Sequence, residues 1–468
     1  MSHKQRAIRI TDNHYALPPV GNMKVGGTAF LSEELFEASE ENLWDQFVNG
    51  ASYEGVIGAY LMPDCHSGFG VPIGCVLVTE GTLIQCGSGY DISCGVLYMR
   101  VPLSPDDLVD PSQRLRWIRE VEKRVATGIG SERPKGMPAF TQAQIDEALL
   151  YGAKTLGASR DQCERLFIPI QKGTDLRKIQ RAYAKSLPQL GSLGGGNHFI
   201  ELQAGDDGSV WIMVHCGSRG YGWQTAEHFF YAGAEARGLA PNRREESWLR
   251  VDEPVGAEYW AHHNTAANYA IANRFTIAAA IGEATGEVYG VTPEVYYDIS
   301  HNLIQEETLI LHDGTGGTKR GFVHRKGATR AMPGWHPDLV GTKWAETGHP
   351  ILVPGSMYDG AALMFPRTGA YGSACSVNHG SGRTMGRGAA KRALGPQQDT
   401  IDQEMREVRR EFAGTVIEGI VSNQPKIPLD ECGRVYKSLD AVLGVLEAEK
   451  IAKVKTRMYP VANIKGSD

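Results

Sequence analysis

The chain reads as α+β. Its helical and strand-like stretches follow one another without the strand–helix alternation of a parallel α/β fold. Several short apolar runs stop abruptly at a histidine, and no repeat with a period of about 20–50 residues or low-complexity tract divides the chain. With 468 residues it can bury a large core, and the expectation is one α+β domain over 1–468.

Ser32 predicts an N-cap, with Glu33 and Glu34 in the first turn of a helix running over 32–47. The stretches 74–78 and 82–85 predict two strands joined by a turn at Glu80-Gly81. Helices are expected over 142–156 and 176–187, and a long alanine-rich one over 257–279. His262 and His263 lie inside the last; adjacent helical residues point about 100° apart, which favours packing or surface roles over joint chelation. The apolar run 210–214 stops at His215, and 295–299 stops just before His301, an arrangement that sets reactive groups at strand ends. Residues 400–420 and 439–452 predict the last two helices. The segment 312–340, rich in Gly, Pro and basic residues, is expected to leave the core as a substrate-facing excursion.

Charged residues make up 22 % and hydrophobic ones 42 %, as in a soluble globular protein. The opening MSHKQRAIRITDNHYALPP lacks the apolar centre of a signal peptide, and no stretch approaches the ~20 apolar residues of a membrane span. A cytoplasmic protein without membrane contact is expected. The eight cysteines include no CxxC pair and predict thiols in a reducing compartment. A net charge of −6 excludes a protein that coats nucleic acid by charge alone. Local basic patches remain, at Arg383, Arg387, Lys391 and Arg392 and over 320–330, where RNA phosphates can be met.

Glycine stands out: 56 residues, above the typical ~7 %, clustered beside His, Asp and Cys in HSGFG, CGSGYDISCG, GSLGGGNHF, HCGSRGYG and NHGSGR. Glycine lets backbone approach a ligand closely, so these loops are expected to converge on one site. Asp91 and Cys94 stand three apart in GYDISCG; alone, such a pair is more often a turn Asp and a buried Cys. His198 in GGGNHF, His215 in VHCGSRG and His301 in DISHN change the balance. A carboxylate, a thiolate and three imidazoles suit Mn, Fe or Zn, and the thiolate can bridge two ions. They outnumber the three ligands of an ordinary catalytic zinc, which points to a two-metal site of the kind used in phosphoryl transfer. GSLGGGNHF is not a P-loop, because no Gly-Lys-Ser/Thr follows. His379, followed by Gly380-Ser381-Gly382-Arg383, is a candidate nucleophile beside an anion cradle.

Taken together, MPDCHSGFG, DISCG, GNHF-I-E, HCGSRG, SHN, HRKGATRA, VPGSM, HGSGR, VYKSLDAV and the terminal NIKG resemble the RtcB family of RNA ligases, in its order and over nearly the whole chain. The resemblance implies a single RtcB-like domain of mixed β-sheets flanked by helices. It implies joining of an RNA 3′-phosphate or 2′,3′-cyclic phosphate end to a 5′-hydroxyl end, using GTP and two Mn²⁺. Cys94 would bridge the ions, with His215 and His301 on one and Asp91 and His198 on the other. His379 would take GMP from GTP and pass it to the RNA 3′-phosphate, which the 5′-hydroxyl then attacks.

The nucleotide pocket would draw on Asn197, His198, Phe199, Ile200 and Glu201, on His301 and Asn302, and on Pro354, Gly355, Ser356 and Met357. His379, Gly380, Ser381, Gly382, Tyr436 and Lys465 would complete it. Asp64 would orient His379, and Arg219, Arg383 and Arg387 would meet phosphates. An archease-like activating partner and a role in RNA repair or tRNA splicing follow from the same resemblance. The sequence departs from the family where Ser93 replaces a frequent glycine or asparagine, Cys216 a usual serine, and Ala361 a frequent serine near guanine. Two other readings compete: a metal-dependent 2′,3′-cyclic phosphodiesterase, which needs no His379, and a non-catalytic sensor of broken RNA ends, which predicts missing ligands.

Overall fold

The computed structural model describes residues 1–310, 317–410 and 412–466 and is built around two large sheets. The first runs in the order Ile8–Thr11, His14–Leu17, Gly27–Ala29, Val56–His66, Ile73–Thr79, Thr318–Lys326, Asn302–Ile310. Its pairings are antiparallel except that between Gly27–Ala29 and Val56–His66. The second runs Glu294–Ser300, Gly95–Val101, Val210–Cys216, Phe199–Gly205, Ala452–Lys465, Ala361–Pro366, Ile351–Pro354, with Val421–Ser422 parallel to the long C-terminal strand. The mixed sheets and flanking helices make the fold α+β.

The second sheet lies deep in the protein: its interior strand Val210–Cys216 is buried at every residue. One face packs on the helix Pro254–Tyr289, where Ile271, Phe275, Ile277 and Ile281 meet Ile200, Leu202, Ile212 and Val214. That helix is buried on several sides, and its buried polar residues, such as Asn268, Asn273 and Arg274, are satisfied by hydrogen bonds to neighbouring segments. Pro254 suits its first turn, and Gly290 in the left-handed region (φ 72°) ends it. Burying each such large side chain contributes about 1.5–3 kcal/mol.

The helix over 257–279 is thus longer than expected, and the others differ by local chemistry. Ser32 caps as predicted, accepting from Leu35 N–H at 3.3 Å, but the helix stops at Glu37 and restarts as Glu41–Gly50. Ser39 breaks it: its hydroxyl donates to Phe36 O (2.6 Å) and accepts from Trp44 Nε1 (2.9 Å). Strands form at Ile73–Thr79 and Thr82–Leu83, yet they do not pair with each other; the second pairs with Leu249–Arg250. The helix expected over 142–156 is Gln142–Tyr151 followed by a 3₁₀ segment, and that over 176–187 is Gln180–Gln189. The one over 400–420 is Gln398–Arg410, followed by a 3₁₀ turn at Val416–Glu418. The last helix is Leu439–Ala448, after which Lys450 (φ 55°) turns the chain into the strand Ala452–Lys465.

The expected excursion over 312–340 needs correction. Residues 312–316 lie outside those described, but Thr318–Lys326 is an interior strand and Ala328–Arg330 pairs with Ser376–Asn378. Arg325 and Arg330 are buried against Glu307, and buried Lys326 donates to Phe69 O and Val71 O. They hold the fold and cannot form the RNA-phosphate patch expected over 320–330. His262 and His263 are buried packing residues.

Candidate active site

Sheet register brings the five predicted metal ligands together. Gly95 pairs with both Cys216 and Ser300, Val96 with His215, and His215 with Phe199. The loop carrying Asp91 and Cys94, the end of the strand carrying His215, and His198 just before Phe199 therefore meet at one edge. His301 is the single residue between the strands Glu294–Ser300 and Asn302–Ile310, at the junction of the two sheets.

The donors form two groups that share Cys94: Asp91, Cys94 and His198, and Cys94, His215 and His301, each with ligand atoms within 4.8 Å of one another. Cys94 Sγ lies 3.5 Å from His198 Nε2 and 3.2 Å from His215 Nε2, which is 3.2 Å from His301 Nε2. The residues fit a cation. His198 Nδ1 lies 2.9 Å from Leu193 O, which assigns its N–H there and leaves a lone pair on Nε2, 3.0 Å from Asp91 Oδ2. Two acceptors face each other at that distance only with a proton or a metal ion between them. Burial pushes the Asp91 carboxyl up, but His198 and its neighbours outweigh this and hold it down at about 2. Burial and the Asp91 charge push the Cys94 thiol up to about 12, and burial holds His215 and His301 well below the usual imidazole range. Neutral imidazoles are the form that binds metals, and a bound ion would displace the thiol proton.

One residue ties the ligand-bearing strands together. Arg274, buried within the long helix, donates to Ser93 O (2.6 Å) and Cys216 O (3.1 Å), pairs with Asp298 (Nη2–Oδ2 2.9 Å) and reaches Ser300 Oγ (3.2 Å). Each contact adjoins or lies near a residue of the donor cluster. Ser93 takes a left-handed φ of 60°, a conformation that glycine or asparagine adopts more readily. Gly217 is needed because a Cβ would stand 2.3 Å from Asp91 Oδ1. Cys216 is a buried thiol 3.2 Å from Leu193 O, behind His198 and away from the ligand atoms.

His379 follows the short strand Ser376–Asn378, and its ring centroid is 4.9 Å from that of His301. Nδ1 lies 2.6 Å from Asp64 Oδ2 and 2.9 Å from Gly327 O, both acceptors, so Nδ1 carries the proton and Nε2 the lone pair. Asp64 is fully buried. Asn302 Oδ1 accepts from Gly327 N–H at 2.8 Å, which places it behind the histidine. Gly382 (φ 76°) lets the HGSGR turn lie on the Asp64 strand; a Cβ there would stand 2.1 Å from Asp64 O.

A cavity of about 300 Å³ opens beside His379. Its walls include Asn197, Phe199, Glu201, the turns Pro354 to Met357 and Gly380 to Gly382, Arg383, Arg387, Tyr436 and Lys465. His198, Ile200, His301 and Asn302 do not line it, and Ile200 faces the core. Ala361 is buried in the sheet opposite Met458 and is not part of the wall. Sequence reasoning missed His66, Glu431 and Asn463. Asn463 stands in the NIKG segment and could have been found there, whereas nothing in Pro428-Leu429-Asp430-Glu431 marks Glu431. Its carboxylate accepts from Tyr436 OH (2.7 Å), Lys465 Nζ (3.0 Å) and Arg387 Nη2 (2.7 Å). Burial pushes its carboxyl up, and Lys465 and Arg387 pull it below the usual range. Arg383 bonds Met385 O, Tyr436 OH and Asp430 O, while Arg219 bonds Ser192 Oγ (3.2 Å) and lies against Gly194 outside the cavity.

Residues 46–466 match the family model described as tRNA-splicing ligase RtcB. The chain is 32 % identical to the tRNA-splicing ligase RtcB of Thermococcus kodakarensis, over 95 % of each chain. It is 31 % identical to that of Archaeoglobus fulgidus, over 98 % of each. It is 30 % identical to the RNA-splicing ligase RtcB homolog 1 of Entamoeba dispar, over 90 % of this chain and 81 % of that one. The chain therefore belongs to the RtcB family of tRNA-splicing ligases.

Proposed function

We propose that this RNA ligase joins an RNA 3′-phosphate end to a 5′-hydroxyl end through a guanylate carried on His379. The observation that supports this most is the Asp64–His379–Gly327 arrangement, which fixes the Nδ1 proton and leaves the Nε2 lone pair free on a histidine that lines the cavity. Nε2 attacks the α-phosphorus of GTP, a P–N bond forms, and pyrophosphate leaves. An RNA 3′-phosphate oxygen then attacks the same phosphorus and frees His379, giving a diphosphate-linked guanylate on the RNA. The 5′-hydroxyl attacks the RNA phosphorus, loses its proton and expels GMP. A 2′,3′-cyclic end is first opened by water to the 3′-phosphate.

Asp91, Cys94, His198, His215 and His301 would hold two Mn²⁺ ions with Cys94 shared, and such ions supply Lewis-acid polarisation of phosphate oxygens. Lys465, Arg383 and Arg387 bring positive charge to the cavity wall, and Gly380 and Gly382 would bring backbone close to phosphate there, the Ser381 N–H being held by Pro354 O. Arg219 would meet RNA phosphate outside it. Spliced tRNA halves and other broken RNAs are the substrates, an archease-like protein is the expected activator, and the eight unpaired cysteines suit the cytoplasm.

Radiolabelled GTP and Mn²⁺ should give a covalent adduct that is lost in acid and kept in alkali. His379→Ala should lose the adduct yet still seal an RNA supplied with a 3′-guanylated end. Label on the His379→Ala protein would move the nucleophile elsewhere. The cyclic phosphodiesterase reading needs the donor cluster alone and leaves the cavity and the Asp64–His379 pair without a role.

A further inference from the structure

Beside the donor cluster, away from the nucleotide cavity, lies a group of aromatic rings that the reaction above does not use. Tyr90, the residue before Asp91, stacks on Trp223 with ring centroids 5.5 Å apart and planes 22° from parallel. Phe69 and Phe230 back Tyr90 at 5.4 and 4.9 Å. Trp223 and Phe230, seven residues apart on the helix Arg219–Ala236, share one helix face. Although stacked on one side, Trp223 keeps 42 % of its surface exposed, and Tyr231 keeps 45 %. A large ring left half in water beside a reaction centre is not explained by packing.

Arg244 sits among these rings. Its guanidinium lies 5.1 Å from the Tyr231 centroid and 5.9 Å from that of Phe69, with Nη2 3.4 Å from Tyr90 OH. It makes no ion pair among the described residues, and its buried Nε has no hydrogen-bond partner. The helix bearing Trp223 starts at Arg219, preceded by Ser218, whose N–H donates to Asp91 Oδ1 at 3.0 Å. Trp223 is five positions beyond Ser218, about 7.5 Å of helix rise. The exposed Lys185 packs beside Gly220 at the same helix start. An exposed tryptophan backed by further rings, an arginine without an ion pair among the described residues and an exposed lysine near the donor cluster match what single-stranded nucleic acid requires.

We infer that Tyr90, Trp223 and Arg244 form a stacking platform for an unpaired RNA base close to the end being joined, with Arg244 meeting the adjoining phosphate. This rests on the RNA-ligase reading and adds a base-binding subsite to it. Stacking is tolerant of sequence because every base has a flat face, so the platform would select unpaired ends over paired ones.

The test measures binding of a short single-stranded RNA ending in a 3′-phosphate to the full chain, by fluorescence anisotropy. The same RNA is made with an abasic ribose at each of its terminal nucleotides in turn. Trp223→Ala should weaken binding roughly 5- to 100-fold, and Trp223→Phe should recover most of it. At one nucleotide the abasic RNA should bind wild type as weakly as intact RNA binds Trp223→Ala, with no further loss when both changes are combined. Arg244→Ala should lower the salt slope by about 0.7, as loss of one phosphate contact does, whereas Trp223→Ala should leave it unchanged. An unaltered thermal midpoint shows that each variant is folded. If Trp223→Ala binds intact RNA as wild type does, or loses the same factor on every abasic RNA, the platform is overturned. Loss of a protein partner with RNA binding intact would also overturn it, in favour of protein docking. Wild type that neither binds nor joins any RNA end would instead fail the underlying ligase reading.

Discussion

His379 Nδ1 stands 2.6 Å from Oδ2 of Asp64, and that carboxylate is fully buried. A buried acceptor fixed on a strand holds the imidazole in one tautomer and one orientation, which a surface carboxylate would not. Asp64→Asn keeps the volume but removes the charge and permits the wrong tautomer. The rate of guanylate attachment should fall roughly 10²- to 10⁴-fold, measured by label transfer from GTP. Sealing of an RNA already guanylated should fall much less.

Because both donor groups use its thiolate, Cys94 should matter more to metal loading than any other ligand. Metal analysis after dialysis should find two Mn²⁺ per wild-type chain. His198→Ala and His301→Ala should each lose one ion, and Cys94→Ala should lose most of both while its circular dichroism stays native. Retention of two ions by Cys94→Ala would show that the thiolate does not bridge.

Arg274 and Asp298 are both fully buried, and Arg274 also holds the carbonyls next to Cys94 and His215. Arg274→Lys keeps a charge for Asp298 but cannot span the remaining acceptors. Metal affinity should fall about 10- to 100-fold, as for other residues that orient ligands, read from the thiolate absorption of a Co²⁺ titration. Arg274→Met should instead destabilise the fold by about 3–5 kcal/mol by leaving the Asp298 charge unpaired, read by urea unfolding.

Gly382→Ala tests the close approach of the HGSGR turn to Asp64 O. The added Cβ must displace that strand and also adopt a left-handed backbone. A stability loss of about 1–3 kcal/mol and slower guanylate attachment are expected together, from thermal unfolding and label transfer.

Burial pushes the Glu307 carboxyl up, but Arg325 and Arg330 more than offset this and hold it down at about 2. A depressed folded value means stability that is complete above the unfolded value near 4.5 and is lost as pH falls through about 2. Urea unfolding of wild type should therefore lose about 3 kcal/mol from this group between those limits. Glu307→Gln should be less stable at neutral pH by about 3–5 kcal/mol and should show a flatter acid profile.

The sequence by itself determined the family. Asp91, Cys94, His198, His215, His301 and His379 stand in segments specific enough to name the family, and the apolar runs before His215 and His301 are strands in the places expected. Helix existence was legible from periodicity, but Ser39 divided one helix and Lys450 turned the end of another into a central strand. Only the tertiary structure decided which segments meet. Strand partners depend on contacts between residues hundreds of positions apart, so Thr82–Leu83 leaves its sequence neighbour for Leu249–Arg250. The pairing of Thr318–Lys326 with Ile73–Thr79 and Asn302–Ile310, and of Ala328–Arg330 with Ser376–Asn378, hides Arg325 and Arg330 in the core, where composition had suggested a surface. Glu431 carries no local signal; it belongs to the cavity because folding brings Lys465, Arg387 and Tyr436 to its carboxylate, and a buried charge is held only where such partners surround it.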